Sequence, residues 1–182
     1  MSLIVLCGKT ASGKTLIRNM LKNKGYRPIV TYTTRPLRRG EVEGKSYHFV
    51  TDEEFDAMIA DGKFAEYKEY EVCDGEVWRY GSTKESILNT KNGVIILTPQ
   101  GYRDVKPILP KNTVCIYLYA NRNTIIKRLK RRGDDEDEIQ RRIASDAIDF
   151  AHFQYEENIK VIYNNDTDDV DKVVKRIVAI AV

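Results

Sequence analysis

Short apolar runs alternate with amphipathic stretches along most of this chain. Leu3–Cys7, Ile29–Tyr32, Val94–Leu97, Val114–Tyr119 and Val161–Tyr163 are apolar on both faces, the pattern of strands buried on both sides. Between them, helices are predicted over Lys14–Lys24, Asp52–Asp61, Thr83–Asn89, Asn123–Arg131, from about Asp135 to Tyr155, and over Val170–Ile180. Thr51-Asp52-Glu53-Glu54 has the capping-box spacing, with Thr51 as N-cap and Glu54 reaching back. Such alternation implies an α/β fold in three layers, with a parallel five-stranded core sheet covered on both faces.

Two stretches break the rhythm. From Thr33 to Tyr80 the chain is richer in β character, at Ser46–Val50, Phe64–Val72 and Val77–Tyr80; the last two flank Asp74-Gly75, a hairpin-turn signal. A small antiparallel insert is expected there. From Arg131 to Arg142, Arg131-Arg132-Gly133 meets the acidic run Asp134 to Glu138. Carboxylates suit a helix start, and a charged, glycine-containing segment between two helices also has the form of a closing lid. The expected organisation is one domain over 1–182, with core 1–32, 83–127 and 156–182, a β-rich insert 33–82 and a lid region 128–155.

Composition changes this picture little. At 182 residues, 42% hydrophobic and 31% charged, the chain reads as an ordinary soluble globular protein. A net charge of +3 argues for neither nucleic acid nor membrane as a partner. Cys7, Cys73 and Cys115 read as reduced, mostly buried thiols, and no apolar run is long enough to span a bilayer, so a cytoplasmic setting is expected. The arginines, however, cluster at Arg35, Arg38 and Arg39 and again from Arg122 to Arg142.

The chemistry starts at Gly8-Lys9-Thr10-Ala11-Ser12-Gly13-Lys14-Thr15. This is G-x-x-x-x-G-K-[ST] between a strand and a helix, the phosphate-binding loop. Gly8 and Gly13 let the backbone turn its N–H groups towards one anion, and the following helix adds its positive dipole end. Lys14 is placed for the β- and γ-phosphates of a nucleoside triphosphate, and the Thr15 hydroxyl for Mg²⁺. Phosphoryl transfer also needs an acceptor clamp. Arg35 and Arg38, stiffened by Pro36, form a compact basic loop whose guanidinium forks suit a phosphate; taken alone, it is equally a plain basic surface loop.

Thr33-Thr34-Arg35-Pro36 followed by Gly40-Glu41-Val42-Glu43-Gly44-Lys45-Ser46-Tyr47-His48-Phe49-Val50 resembles the guanylate kinase signature. Phe64-Ala65-Glu66-Tyr67, Tyr80-Gly81-Ser82-Thr83, Gln100-Gly101, Arg128-Leu129, Arg132-Gly133, Arg141-Arg142 and Val161 to Asp166 continue the match over essentially the whole chain. The resemblance implies that Arg35, Arg38, Tyr47 and Tyr80 hold the phosphate of a nucleoside monophosphate. It implies that Glu66 reads the base, since a carboxylate accepts from guanine N1–H and N2–H, with Thr31 and Ser82 as further polar contacts. Lys14, Arg38, Arg132 and Arg142 become the candidate catalytic residues, Arg128 joins the donor phosphates, and Asn164 falls at the adenine of ATP. Without the resemblance, Glu66 reads as an exposed strand carboxylate and the two tyrosines as β packing. His48 and His152 have no arguable role.

The match departs at Val94 to Gly101. Ile96 and Thr98 stand where the family generally carries an aspartate pair, one near the metal and one near the guanine amino group. Thr98 is kept as a neutral acceptor contact. The Glu66–Tyr80 stretch is also longer than usual, adding a Cys73–Trp78 hairpin. The reading is ATP–Mg²⁺-dependent phosphoryl transfer to GMP or dGMP by a monomer or homodimer. Its alternatives are a kinase on another phosphorylated acceptor such as ribose 1,5-bisphosphate, or a non-catalytic guanylate kinase-like binding module.

Overall fold

In a computed structural model, residues 2–38, 40–71 and 75–181 are described. They divide into two compact units. One comprises residues up to Pro28 with Lys91–Tyr102 and 110 onwards; the other comprises Ile29–Thr90 and Arg103–Leu109.

The first unit carries a parallel sheet in the order β2 (Arg27–Pro28), β7 (Gly93–Ile96), β1 (Leu3–Cys7), β8 (Thr113–Tyr119), β9 (Ile159–Tyr163). β1 is central and buried at all five positions, as a strand covered on both faces must be. Ile4 and Leu6 of β1 and Ile116 and Leu118 of β8 meet Ile17 and Leu21 of α1 (Lys14–Lys22). Val173, Val174 and Ile177 of α7 (Val170–Ala181) complete that core. Truncating a fully buried member such as Leu21 to Ala costs about 2–5 kcal/mol. The opposite side chains of β8 include Tyr117, which stacks on Phe150 at 5.4 Å and meets Phe153 edge-on at 5.7 Å. A smaller cluster joins Ala11 and Ala120 to α5 (Arg122–Arg132) and α6 (Glu136–Asp149) through Ile125, Leu129 and Ile139.

The second unit is built on a four-stranded sheet, β4 (His48–Phe49), β3 (Tyr32–Thr33), β6 (Val77–Thr83), β5 (Phe64–Glu71). β3–β6 and β6–β5 are antiparallel, while β4 joins β3 in parallel, so the sheet is mixed rather than wholly antiparallel. Helix α2 (Asp52–Ala60) opens with the expected capping box, Thr51 accepting from the Glu54 N–H and Glu54 from that of Thr51. It packs against one hairpin face. Phe55 stacks on Phe64, and Arg79 lies over Phe55 while pairing with Asp52 and Asp56. Gly81 is required there, because a Cβ would sit 2.6 Å from the Phe64 ring. The unit also holds α3 (Lys84–Asn89), capped by Thr83.

Three expectations are corrected. The strand expected at Ile29–Tyr32 is two short strands, since the chain leaves one sheet at Pro28 and enters the other at Tyr32. The long helix stops at Asp149, where His152 adopts a left-handed φ of 61° and Phe150 and Phe153 turn onto Tyr117. A helix not expected, α4 (Pro99–Val105), follows Thr98, whose hydroxyl accepts from the Gly101 N–H at 3.0 Å. Arg39, Cys73 and the Asp74 side of the expected turn lie outside the described residues. Among those residues, no helix is long and apolar enough to cross a membrane.

Candidate active site

In the first unit β1 delivers the chain into the glycine-rich loop, and Lys14 begins α1. The loop leaves no room for larger residues at its glycines. A Cβ on Gly8 would lie 2.6 Å from Ser12 Oγ and 2.7 Å from the Leu118 carbonyl; on Gly13, at φ +99°, it would lie 2.4 Å from Asn164 Nδ2. Lys14 folds back so that Nζ donates to the Gly8 carbonyl at 2.5 Å and the Lys9 carbonyl at 2.8 Å. Burial of the ammonium lowers its pKa from 10.5 to about 8; Asp146 opposes that fall, and the Arg132 charge adds to it. Ser12 Oγ is buried with no hydrogen-bond partner among the described residues. The loop is a preformed, positively biased anion cradle.

Three side chains hold the cradle from outside. Asn164, at the end of β9, is buried and donates Nδ2–H to the Ser12 carbonyl at 2.8 Å. Arg128 on α5 donates to the Ala11 carbonyl at 3.1 Å and to Asp166 at 3.0 Å. Asp146 on α6 accepts the Thr10 N–H at 2.8 Å. Burial raises the Asp146 pKa, while the Thr10 bonds and Lys14 and Lys9 pull the other way. Arg142, one helical turn before Asp146, donates to Glu138 at 2.5 Å and stands 3.9 Å from Asp134. Glu138 is held down to about 2 by Arg141 and Arg142. Arg132 ends α5 ahead of Gly133, a left-handed cap at φ 86°. Thr15 is exposed on the first turn of α1.

In the second unit the β5–β6 register fixes a polar face. Glu66 lies opposite Ser82, Lys68 opposite Tyr80 and Tyr70 opposite Trp78. All six share one side of the hairpin, and Arg79 faces the other, towards α2. Ser82 donates its hydroxyl to Glu66 at 2.6 Å. Burial raises the Glu66 pKa, with the Ser82 hydrogen bonds opposing it. Tyr80 meets Tyr47 at 5.8 Å, ring edge to face. Arg35 is 97% buried in effect, with 3% exposure, and its fork is engaged by Glu41 at 2.7 and 2.9 Å and by the Pro36 carbonyl. Its guanidinium also lies 5.5 Å from the centre of the Tyr47 ring. Glu41 accepts the Arg38 N–H as well, leaving the exposed Arg38 guanidinium over Trp78. Thr31 accepts the His48 N–H at its carbonyl, beside this sheet.

Whole-chain comparison decides what kind of protein carries these two clusters. The family model described as guanylate kinase matches residues 1–181. The chain belongs to the guanylate kinase family. It is 35% identical to the guanylate kinase of Caldanaerobacter subterraneus subsp. tengcongensis, over 99% of this chain and 86% of that one. It is 33% identical to that of Alkalilimnicola ehrlichii, over 92% and 82%. A crystal structure of guanylate kinase from Anaplasma phagocytophilum shares the fold with a TM-score of 0.66 at 23% identity, covering 98% of this chain and 83% of that one.

Within this family frame, the loop residues 8–15, Arg128, Arg132, Arg142 and Asn164 all lie in the first unit, with Thr98. Thr31, Arg35, Arg38, Tyr47, Glu66, Tyr80 and Ser82 all lie in the second. The contacts the structure gives several of them are intramolecular: Asn164 braces the loop, Ser82 orients Glu66, Thr98 caps α4 and Arg35 is bound to Glu41. Two residues were missed. Glu41 carried a signal, standing within the matched Gly40-Glu41 signature; Asp146 carried none, because its partner Thr10 is 136 positions away.

Proposed function

We propose that this chain transfers the γ-phosphoryl group of ATP to the phosphate of GMP or dGMP, yielding ADP and the nucleoside diphosphate. Membership of the guanylate kinase family supports the reaction class. The observation that carries the acceptor is Glu66: a carboxylate on the polar hairpin face, desolvated and oriented by Ser82. Ionised, it only accepts, and guanine offers N1–H and N2–H side by side, whereas adenine presents a lone pair at N1. The wrong base leaves a desolvated carboxylate unpaired, which makes the site selective.

The remaining residues work by position and charge, as phosphoryl transfer requires. Lys14 exchanges its two carbonyl acceptors for β- and γ-phosphate oxygens. Arg38, Tyr47 and Tyr80 hold the acceptor phosphate, with Arg35 shaping the loop that presents Arg38. Arg132 and Arg142 close over the donor as a lid and neutralise charge in the transition state, Arg142 giving up Glu138 to do so. Thr31 and Thr98 add neutral contacts to the acceptor. The donor set fits Mg²⁺ carried on the nucleotide: one exposed hydroxyl, Thr15, beside a cradle built for phosphates, the ion keeping phosphate and water as its other ligands. The ion would supply charge neutralisation between the phosphates. Buried, free Cys7 and Cys115 suit action in the cytoplasm.

A panel of acceptors assayed for ADP release tests the reading. GMP and dGMP should be turned over far better than AMP, CMP or ribose 1,5-bisphosphate. Efficient use of the phosphosugar, with GMP poor, would remove the base-reading role of Glu66.

A further inference from the structure

The loop that carries Arg35 and Arg38 treats its two arginines oppositely. Arg35 is buried, and its N–H groups are engaged by Glu41, by the Pro36 carbonyl and by Tyr80. Arg38 is exposed, and among the described residues its guanidinium forms no ion pair with a carboxylate, Glu41 attracting it only through space. What it does have is a ring: its central carbon lies 5.5 Å from the centre of the Trp78 indole. Trp78 ends the polar hairpin face that begins at Glu66 and Ser82 and passes through Tyr80. The indole is itself anchored, half-buried opposite Tyr70 and donating Nε1–H to Glu76 at 3.2 Å.

The geometry matters for phosphate binding. A carboxylate partner, as at Arg35, takes N–H groups that a phosphate would otherwise use. A ring attracts the guanidinium through its quadrupole and takes up none of its N–H groups in an ion pair, leaving them for an oxyanion. A long exposed arginine otherwise spreads over many rotamers, and ordering it on binding weakens affinity. Glu41 fixes the Arg38 backbone at 2.9 Å, and Trp78 restricts the side chain that leaves it.

We propose that Trp78 is a positioning residue: its ring holds the Arg38 guanidinium beside the polar hairpin face, so that its N–H groups are ready for the acceptor phosphate. The proposal rests on the reading that Arg38 binds that phosphate. Trp78 is the single tryptophan of the chain, so it also reports on the contact directly.

Steady-state kinetics on Trp78→Leu, Trp78→Tyr, Arg38→Ala and the Trp78→Leu/Arg38→Ala pair provide the test, with tryptophan emission recorded on the free wild type and Arg38→Ala. Loss of an exposed cation–π contact should raise the KM for GMP about two- to fivefold in Trp78→Leu. The KM for ATP should stay unchanged, and Trp78→Tyr should recover most of the loss. Arg38→Ala should raise the KM for GMP further, Trp78→Leu should add nothing in that background, and Arg38→Ala should alter Trp78 emission. An effect of Arg38→Ala with none of Trp78→Leu, additive losses in the pair, or unaltered emission would each overturn the role of Trp78 while leaving Arg38 in place. A KM for GMP indifferent to Arg38→Ala would overturn the underlying reading of Arg38, and this proposal with it.

Discussion

Lys14 offers a quantitative test of the cradle, because its pKa is lowered to about 8 by burial of an ammonium that donates to two carbonyls. At pH 8 roughly half of the free protein therefore carries a neutral Lys14. Phosphate oxygens favour the charged form and return the group to the ordinary lysine range, near 10.5 or above. ATP binding should then take up about half a proton at pH 8, about 0.9 at pH 9 and almost none at pH 6.5. Titration calorimetry in buffers of different ionisation enthalpy measures this as the slope of apparent enthalpy against buffer enthalpy. Lys14→Ala should flatten the slope at every pH. The sign for stability follows from the same depression. The folded free protein disfavours the charged form, so the Lys14 contribution is full above the ordinary lysine pKa and is lost as pH falls through about 8. The Tm of the free protein should accordingly gain from Lys14 on going from pH 8 to pH 10, and Lys14→Ala should lack that gain. A buffer-independent enthalpy at pH 8, or a slope surviving in Lys14→Ala, would refute the placement of the ammonium under the loop.

Four further outcomes are expected. Glu66→Gln should lower the preference for GMP over AMP by about 2 kcal/mol or more in kcat/KM, roughly thirtyfold. In wild type the KM for GMP should rise on acidification at a higher pH than an ordinary glutamate would give, because burial raises the Glu66 pKa, and Glu66→Gln should lack this limb. Arg142→Ala should lower kcat about tenfold or more while raising the KM for ATP less, and a change in KM alone would make Arg142 a ground-state binder. Asp146→Asn keeps an acceptor for the Thr10 N–H but removes a negative charge from the phosphate site; the KM for ATP should fall by roughly fivefold at low salt, equivalent to about 1 kcal/mol, and less at high salt.

The parts of this molecule that were legible share one property: their signals are local. The phosphate loop was legible because two glycines, a lysine and a threonine stand at fixed spacing between an apolar run and a helix. Capping at Thr51 was legible for the same reason, and Glu66 and Ser82 face each other once the β5–β6 register is known. What escaped depends on contacts distant in sequence or on backbone conformations with no residue signature. Asp146 is one acid among many on α6, and only the fold takes it to Thr10. Arg79 reads as a surface arginine until Asp52 and Asp56 of α2 close on it. The end of α6 is set by a left-handed histidine and by aromatic packing on Tyr117, neither of which interrupts the helical periodicity. Helix α4 was hidden by Gly101 in its interior, although Thr98-Pro99 is a helix-start pair.

The most direct measurement is product analysis of the wild-type chain incubated with ATP, Mg²⁺ and GMP, with AMP in a parallel reaction. The account predicts GDP and ADP in equal amounts from the first reaction and little turnover in the second. ADP forming without GDP, or GMP and AMP consumed equally well, would contradict it.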